Sequence, residues 1–310
     1  MFAVEQSLSA VLIVPTLNPD CRWSEWLTAY NKQTCKFDVD CLVIDSGSGI
    51  DFIDFTIAAG CKVVSIDKNE FNHGGTRQFG VELSGNAEFV VFCTQDAIFS
   101  HEDALKNLLS CFANEQVGAV YGRQLPHKDA GYIGAHARLF NYPPQSCLKG
   151  SENIPEMGIK TAFISNSFAA YRVSVLKSIG GFPTNTIMNE DTYVAAKMIL
   201  AGWKIAYCAE ASVFHSHDYS VREDLKRYFD IGVFHSREPW LRELFGDAEG
   251  EGIRFVLSEA KYLFKHAIWL LPSAFVRTVA KYAGYKLGGI EGRLPQQLKR
   301  KLSMHSRYWS

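Results

Sequence analysis

The sequence predicts an α/β fold with a mostly parallel central sheet, and three observations predict it. Short β-branched and aromatic runs at 10–14, 41–44, 62–66 and 89–93 alternate with stretches of helical periodicity, the pattern of βαβ units. The runs are nearly continuous, as strands covered on both faces must be. Each run then gives way to polar or glycine-containing residues, and open α/β sheets bind ligands at the carboxyl ends of their strands.

The length of 310 residues is enough for a large core, and 47% hydrophobic with 21% charged residues is ordinary for a globular chain. Eight cysteines are scattered without a C-x-x-C pair, which speaks against a zinc site or disulfide framework and for a reducing compartment. The N-terminus lacks a basic leader, and no apolar run approaches the roughly 18 residues of a membrane span. The net charge of −1 hides an asymmetry: from residue 260 onward ten basic residues face the single acid Glu291. A basic tail on an acidic body suggests an anionic partner for the tail.

Taken in order, Ala10-Val11-Leu12-Ile13-Val14 predicts a first buried strand, broken by Pro15-Thr16-Leu17-Asn18-Pro19. A helix over 23–32 follows, then a strand at 41–44 that runs into Asp45-Ser46-Gly47-Ser48-Gly49. A helix over 51–59 and a strand over 62–66 complete the next unit. Asn72-His73-Gly74-Gly75-Thr76-Arg77 opens a helix to about residue 84. Glycines there let backbone N–H groups approach an anion, although the motif is neither a Walker loop nor a dinucleotide fingerprint. Arg77 offers a rigid cationic fork, or simply lies on a solvated helix face.

Phe89 to Cys93 is the strand on which the rest is organised, and it delivers Asp96 just past its carboxyl end. A lone acid there either meets a ligand or closes a turn. A helix over 101–112 and a strand over 117–121 come next. The stretch 123–160 lacks clean periodicity and is expected to be a long loop, part of which covers a substrate. A strand over 163–172 leads to a helix ending near 179 and the turn Gly180-Gly181-Phe182-Pro183. Asn189-Glu190-Asp191 precedes a helix over 192–201. Acids are favoured at a helix start, but two adjacent carboxylates cannot both cap it. A strand over 205–208 leads to His215 and His217, whose spacing of two places both rings on one face of an extended segment. They are either an exposed pair or metal ligands.

From residue 219 the chain is expected to be helical. Segments 262–271 and 273–287, separated by Pro272, mix Phe264, Trp269 and Phe275 with Lys261, Lys265, Arg277, Lys281 and Lys286. A basic amphipathic pair of this kind suits either an anionic membrane surface or packing on the main domain with a basic outer face.

One arrangement uses all the polar clusters. A nucleoside-diphosphate ligand needs an acceptor for its base, a divalent cation for its phosphates and a catalytic group at the bond that breaks. Asp45 could accept the N3–H of a pyrimidine. Asp96 and a histidine could hold Mg²⁺ or Mn²⁺, the imidazole leaning towards Mn²⁺. Asp191 could act as general base.

In this order, Ile13-Val14-Pro15-Thr16-Leu17-Asn18, Val43-Ile44-Asp45-Ser46-Gly47-Ser48, Thr94-Gln95-Asp96-Ala97, Ser165-Asn166-Ser167 with Gly180-Gly181-Phe182, and Asn189-Glu190-Asp191 resemble a family 2 glycosyltransferase of the GT-A fold over roughly residues 10–220. The Phe71–Arg77 loop, Thr-Gln-Asp-Ala and His215-Ser216-His217 resemble bacterial rhamnosyltransferases that use dTDP-L-rhamnose. The resemblance implies a GT-A domain over 1–218 and a basic helical region over 219–310 that associates with membrane. It implies that Pro15, Thr16, Asn18, Asp45, Gly75, Arg77, Gln95 and Asp96 bind the nucleotide donor, and that Asp96 with His215 or His217 binds Mn²⁺ or Mg²⁺. Asp191 takes the place of the catalytic base, and Asn166 and Glu190 lie towards the acceptor. In the position of the family's D-x-D motif the first acid is replaced by Thr94 or Gln95. The implied reaction is inverting transfer of L-rhamnose from dTDP-β-L-rhamnose to a sugar hydroxyl of a lipid-linked surface glycan, at the cytoplasmic face of a bacterial membrane. Rival readings are a family 2 transferase with a UDP-hexose donor, a sugar nucleotidyltransferase and a non-catalytic scaffold. The nucleotidyltransferase expects a glycine-rich basic loop after the first strand, where this chain has Pro15-Thr16-Leu17-Asn18-Pro19. Nucleic-acid binding is not expected, because the body is acidic and the basic excess sits on apolar helices.

Overall fold

The four apolar runs form β1 (Ser9–Thr16), β2 (Asp38–Asp45), β3 (Lys62–Ser65) and β4 (Phe89–Cys93), which pair in parallel in the order β3-β2-β1-β4. The computed structural model describes residues 9–34, 38–247 and 250–309. Residues 1–8, part of the stretch read as lacking a leader, lie outside the described residues. Helices Arg22–Asn31, Ile50–Ala58 and His73–Leu83 are the crossovers. Ile13, Ile44, Val90 and Phe92 enter one core and Leu12, Val14, Val43 and Val91 another. This alternation is the period of two of strands covered on both faces, and it explains why the runs are continuously apolar.

Further along come β5 (Ile98–Phe99), β6 (Val117–Leu125), β7 (Cys147–Lys149), β8 (Phe168–Arg172) and β9 (Lys204–Phe214). They extend the sheet to the order β3-β2-β1-β4-β8-β6-β9-β5, with β7 also on β9. β8 runs antiparallel to both β4 and β6, while β6 and β9 are parallel. The loop entering β8 therefore lies at the same sheet end as the loops leaving β4 and β9.

Three local expectations change. The strand expected over 163–172 starts only at Phe168, which leaves Ser165, Asn166 and Ser167 in the loop at the sheet end. The stretch expected as a long loop holds the end of β6, the helix Tyr132–Asn141, β7 and the short helix Ile154–Met157. Its helix packs on the distant helix Glu251–His266, where His136 Nε2 lies 2.9 Å from Ser258 Oγ. A partner so far along the chain leaves no local sign in the sequence. The strand expected over 205–208 runs on to Phe214, with an irregularity against β6 between Gly122 and Arg123.

In the C-terminal region the helices run Glu251–His266 and Leu271–Gly289, and Pro272 stands in the first turn of the second. Proline is preorganised for that position and starts the helix instead of kinking it. Ser220 and Glu223 form a capping box that opens the helix Val221–Arg237. Leu271–Gly289 lies along that helix at glycine distance: a Cβ on Gly284 or Gly288 would collide with the carbonyl oxygens of Leu225 and Phe229. Phe229, Val233, Phe234 and Trp309 join the core that holds Phe92 and Tyr171. Among the described residues no helix is long and apolar enough to cross a membrane.

Candidate active site

A cavity of about 690 Å³ opens at the carboxyl ends of β4 and β9, within the range of sites that enclose small-molecule ligands. Asp96 enters from the turn after β4, and His215 and His217 from the end of β9. Asp96 Oδ2 lies 3.5 Å from His215 Nε2 and 3.6 Å from His217 Nε2. One donor atom from each of the three lies within 4.8 Å of the others.

The tautomer of His215 is set from behind. Gln124, buried in β6, donates through Nε2 to Ser165 Oγ at 2.9 Å, so its Oε1 faces His215 Nδ1, also at 2.9 Å. That oxygen takes the Nδ1 proton and leaves the Nε2 lone pair directed at the Asp96 carboxylate. Burial holds His215 below its usual pKa and, with His215 adding to it, pushes His217 down to about 4. Burial alone would raise Asp96, but in acid, where both rings are protonated, the hydrogen bond and charge of His215, then His217, hold it well below the carboxylate range. Two neutral imidazoles and one carboxylate converging through lone pairs are a donor set for a divalent cation, and the nitrogens favour Mn²⁺ over Mg²⁺.

The second cluster stands at the start of the helix Glu190–Leu200. Asn189 adopts the left-handed conformation, with φ of 59°, which asparagine tolerates better than most residues. Glu190 Oε1 lies 3.1 Å from Arg77 Nη1 and accepts from Asn166 Nδ2 at 3.0 Å. Burial would raise Glu190, yet Arg77, His73 and the Asn166 bond hold it below its usual value. Asp191 accepts from the Thr192 N–H at 2.7 Å and the Asn166 N–H at 3.2 Å. Burial and the charge of Glu190 push Asp191 up to about 7. Two carboxyls whose surroundings drive their pKa values apart are the usual mark of an acid–base site. His73, pushed down to about 3 mainly by burial, packs edge-on against His305 with ring centres 4.7 Å apart. The chain end is pinned there by the Met304 N–H, which donates to Asp230 Oδ2 at 2.9 Å.

Of the residues singled out in the sequence, Arg77, Asp96, Asn166, Glu190, Asp191, His215 and His217 line this cavity. Of the others, Pro15, Thr16, Asn18 and Asp45 stand at the ends of β1 and β2, Gln95 in the turn after β4 and Gly75 in the first turn of the helix His73–Leu83. Asp45 is fully buried: Oδ1 accepts from Thr16 Oγ1 at 2.9 Å and Ser48 Oγ at 2.5 Å, and Oδ2 from the N–H groups of Gly47 at 3.0 Å and Ser48 at 2.8 Å. Its lone pairs close its own loop. Arg77 uses one arm, Nη1, for Glu190 and for the His73 carbonyl at 2.9 Å, and its buried Nε has no partner among the described residues. Gly75 makes room for the capping side chain of Asn72. Asn18, with φ of 40°, donates its N–H to Ser48 Oγ at 2.8 Å. Gln95 accepts from the Leu17 N–H at 2.8 Å, tying the Pro15–Asn18 loop to the turn that carries Asp96.

Residues 11–180 match the sequence profile of glycosyl transferase family 2. The chain belongs to that family. Relatives extend the likeness to nearly the whole length of this family 2 transferase. It is 49% identical to the O-antigen chain rhamnosyltransferase WbaN of Salmonella anatum over 303 residues, 97% of this chain and 96% of that one. It is 48% identical to the O-antigen chain rhamnosyltransferase RfbN of Salmonella typhimurium over 306 residues, 98% and 96% of the two chains. In fold it is similar to the mannosyltransferase PcManGT of Pyrobaculum calidifontis, solved with GDP-Man and Mn²⁺. The TM-score is 0.57 and the identity 18%, over 97% of this chain and 84% of that one. It is also similar to S. aureus TarS 1–349 in complex with UDP, with a TM-score of 0.51 and 15% identity over 92% and 91%. These solved structures are GT-A glycosyltransferases, and their likeness establishes the GT-A fold of this transferase.

The profile match ends before Asp191, His215, His217 and His305, so part of the cavity of this family 2 transferase comes from outside it. Sequence reasoning missed Gln124, Arg138, Arg227 and His305 in the site. Gln124 had a faint signal, as a polar side chain closing an apolar run. His305 closes the stretch Leu302-Ser303-Met304-His305, which resembles the rhamnosyltransferases in sequence but without a sign of its place in the site; Arg138 and Arg227 had no signal, because helix packing brings them in.

Proposed function

We propose that this enzyme transfers L-rhamnose from dTDP-β-L-rhamnose to a sugar hydroxyl of a lipid-linked O-antigen intermediate, forming an α-L-rhamnosyl linkage. The observation that carries the reading is the near-half identity, over almost the whole of both chains, to two proteins named O-antigen chain rhamnosyltransferases. Asp191 supports a single inverting displacement. Its carboxylate takes the proton of the acceptor hydroxyl as that oxygen bonds to the anomeric carbon. The bond from that carbon to the diphosphate breaks on the opposite face, and the electron pair leaves with dTDP. Asn166 and Thr192 hold the Asp191 carboxylate in place through their N–H groups, so that the base is aimed before the acceptor arrives. Asp96, His215 and His217 would hold Mn²⁺ or Mg²⁺, which supplies positive charge for the departing diphosphate. The nucleoside lies over the Pro15–Asn18 loop and Gln95.

The C-terminal region would bring the enzyme to a lipid-linked acceptor at the cytoplasmic face of the membrane. Phe264, Trp269, Phe275 and Tyr282 are exposed by 65 to 70%, beside exposed Lys261, Lys265 and Lys286. That composition suits an anionic lipid surface. Arg277 and Lys281 turn inward to Asp224, at 2.8 and 3.9 Å, so the surface charge is smaller than the sequence count.

The test is calorimetric titration with dTDP, UDP and dTDP-L-rhamnose, with and without Mn²⁺, followed by transfer to lipid-linked acceptor. Binding of dTDP and its rhamnose conjugate over UDP, with rhamnosyl transfer, is the expected result. A preference for UDP would replace the donor, and binding of neither would overturn the reading.

A further inference from the structure

Six basic side chains line the cavity, and four are already matched. Arg77 is paired with Glu190, Arg277 and Lys281 with Asp224, and Lys160 with Glu251. Arg138 and Arg227 are different. Arg138, on the helix Tyr132–Asn141, lines the cavity, and its guanidinium has no ion pair or hydrogen bond to any described residue. Its Nε is sealed from water without an acceptor. Arg227, on the helix Val221–Arg237, lines the same cavity; its guanidinium carbon lies 5.7 Å from the centre of the Tyr219 ring, and it has no carboxylate among the described residues.

An unpaired cation held out of water is costly, and two that face one void repel each other as well. Burial works against the charge of Arg138 and Arg227 adds to it, while Tyr142, Tyr219 and Asp96 offset only part of that. Both arginines also act on His217, so they stand near the Asp96, His215 and His217 cluster. The arrangement is relieved by an anion that presents several oxygens at once. A diphosphate does this, and guanidinium forks match its paired oxygens.

We propose that Arg138 and Arg227 form a diphosphate subsite beside Asp96, His215 and His217, and that it takes the two phosphates of the donor nucleotide. This rests on the reading of the enzyme as a user of a nucleoside-diphosphate sugar. The arginines bind the diphosphate in the ground state and meet the charge that grows on it as the glycosidic bond breaks. A lipid-linked acceptor can carry the same diphosphate chemistry, and the experiment separates the two sources.

Arg138→Gln, Arg227→Gln and the charge-conserving Arg138→Lys are titrated with dTDP, dTMP and inorganic pyrophosphate, with thermal melts alongside. Each glutamine variant is expected to melt like the wild type and to lose about ten- to a hundredfold in dTDP affinity, with a much smaller loss for dTMP. Arg138→Lys recovers part of the loss. Unchanged dTDP affinity together with a raised KM for lipid-linked acceptor would overturn the donor assignment and give the subsite to the acceptor. Equal losses for dTDP and dTMP would overturn it as well, because the second phosphate would not be sensed. If the wild type binds neither dTDP nor UDP, the donor reading itself has failed, and pyrophosphate decides the subsite alone. Binding that Arg138→Gln abolishes would keep the subsite, and no binding would sink it.

Discussion

Glu190 and Asp191 are neighbours in the chain and are held in opposite states. Glu190 sits 3.1 Å from the buried Arg77 guanidinium and stays ionised. Asp191 accepts from two backbone N–H groups and, at 3.4 Å, from the Thr192 hydroxyl, and is pushed up to about 7 by burial and by the charge beside it. The Arg77–Glu190 pair therefore does more than fill space: its anionic half helps to raise the neighbouring Asp191 carboxyl.

Asp191→Asn is expected to lower kcat by about 10²–10⁴ while leaving nucleotide affinity within a factor of a few. In the wild type the ionised form acts, so kcat/KM should rise with pH and pass half-maximum near 7. The stability consequence has the opposite sense. Native Asp191 keeps a proton that the unfolded chain releases in the ordinary carboxylate range, so its contribution falls as pH rises from there to about 7. Asp191→Asn should thus raise Tm relative to wild type at pH 8 and leave it unchanged at pH 3.

Glu190→Gln leaves Arg77 buried without its counter-charge and should cost about 3–5 kcal/mol in chemical denaturation. Removing the like charge also lets Asp191 ionise more easily. The pH–rate midpoint of the folded variant should therefore move below that of the wild type. A midpoint that stays in place would mean that burial alone raises Asp191.

Gln124→Leu removes the acceptor that fixes the His215 tautomer. Mn²⁺ affinity measured by calorimetry should fall about 10–100-fold, with the fold intact by circular dichroism. His217→Ala should lose a ligand outright and show a larger fall, and chelator should abolish transfer in the wild type.

The exposed aromatic face gives a physical prediction independent of catalysis. Replacing Phe264, Trp269 and Phe275 by Ser should release the protein from anionic vesicles in a sedimentation assay and leave Tm close to wild type, since all three side chains are about 70% exposed. Raising salt should weaken binding of the wild type, because part of the attraction is screened charge. Retention of the triple variant on vesicles would remove this face from the membrane reading.

Gly288→Val tests how the C-terminal region is attached. Its side chain would strike the Phe229 carbonyl and the backbone of Val233, so Tm should drop, with a cost of about 1–3 kcal/mol or more. Gly289→Val, where nothing lies within 4 Å, is the control and should leave Tm close to wild type, because valine is no worse than glycine in a helix.

The parallel half of the sheet was legible in the sequence because its causes are local. A strand covered on both faces must be apolar at every position, so β1, β2 and β4 announce themselves, and the polar residues after them mark the ligand side. Asp96, Asp191, His215 and His217 could be picked out because polar groups just beyond buried strands, or at a helix start, stand against an apolar background. Tertiary structure alone decided what each charge does. It spent Asp45 on its own loop and Arg77 on Glu190, because burial makes an unsatisfied charge too costly to leave free. It turned an apparent loop into the helix that carries Arg138, through packing against residues more than a hundred positions away, and it folded the chain end back to put His305 against His73. Periodicity and motif report what a residue's neighbours in the chain require; the partner of a buried charge is fixed by neighbours in space.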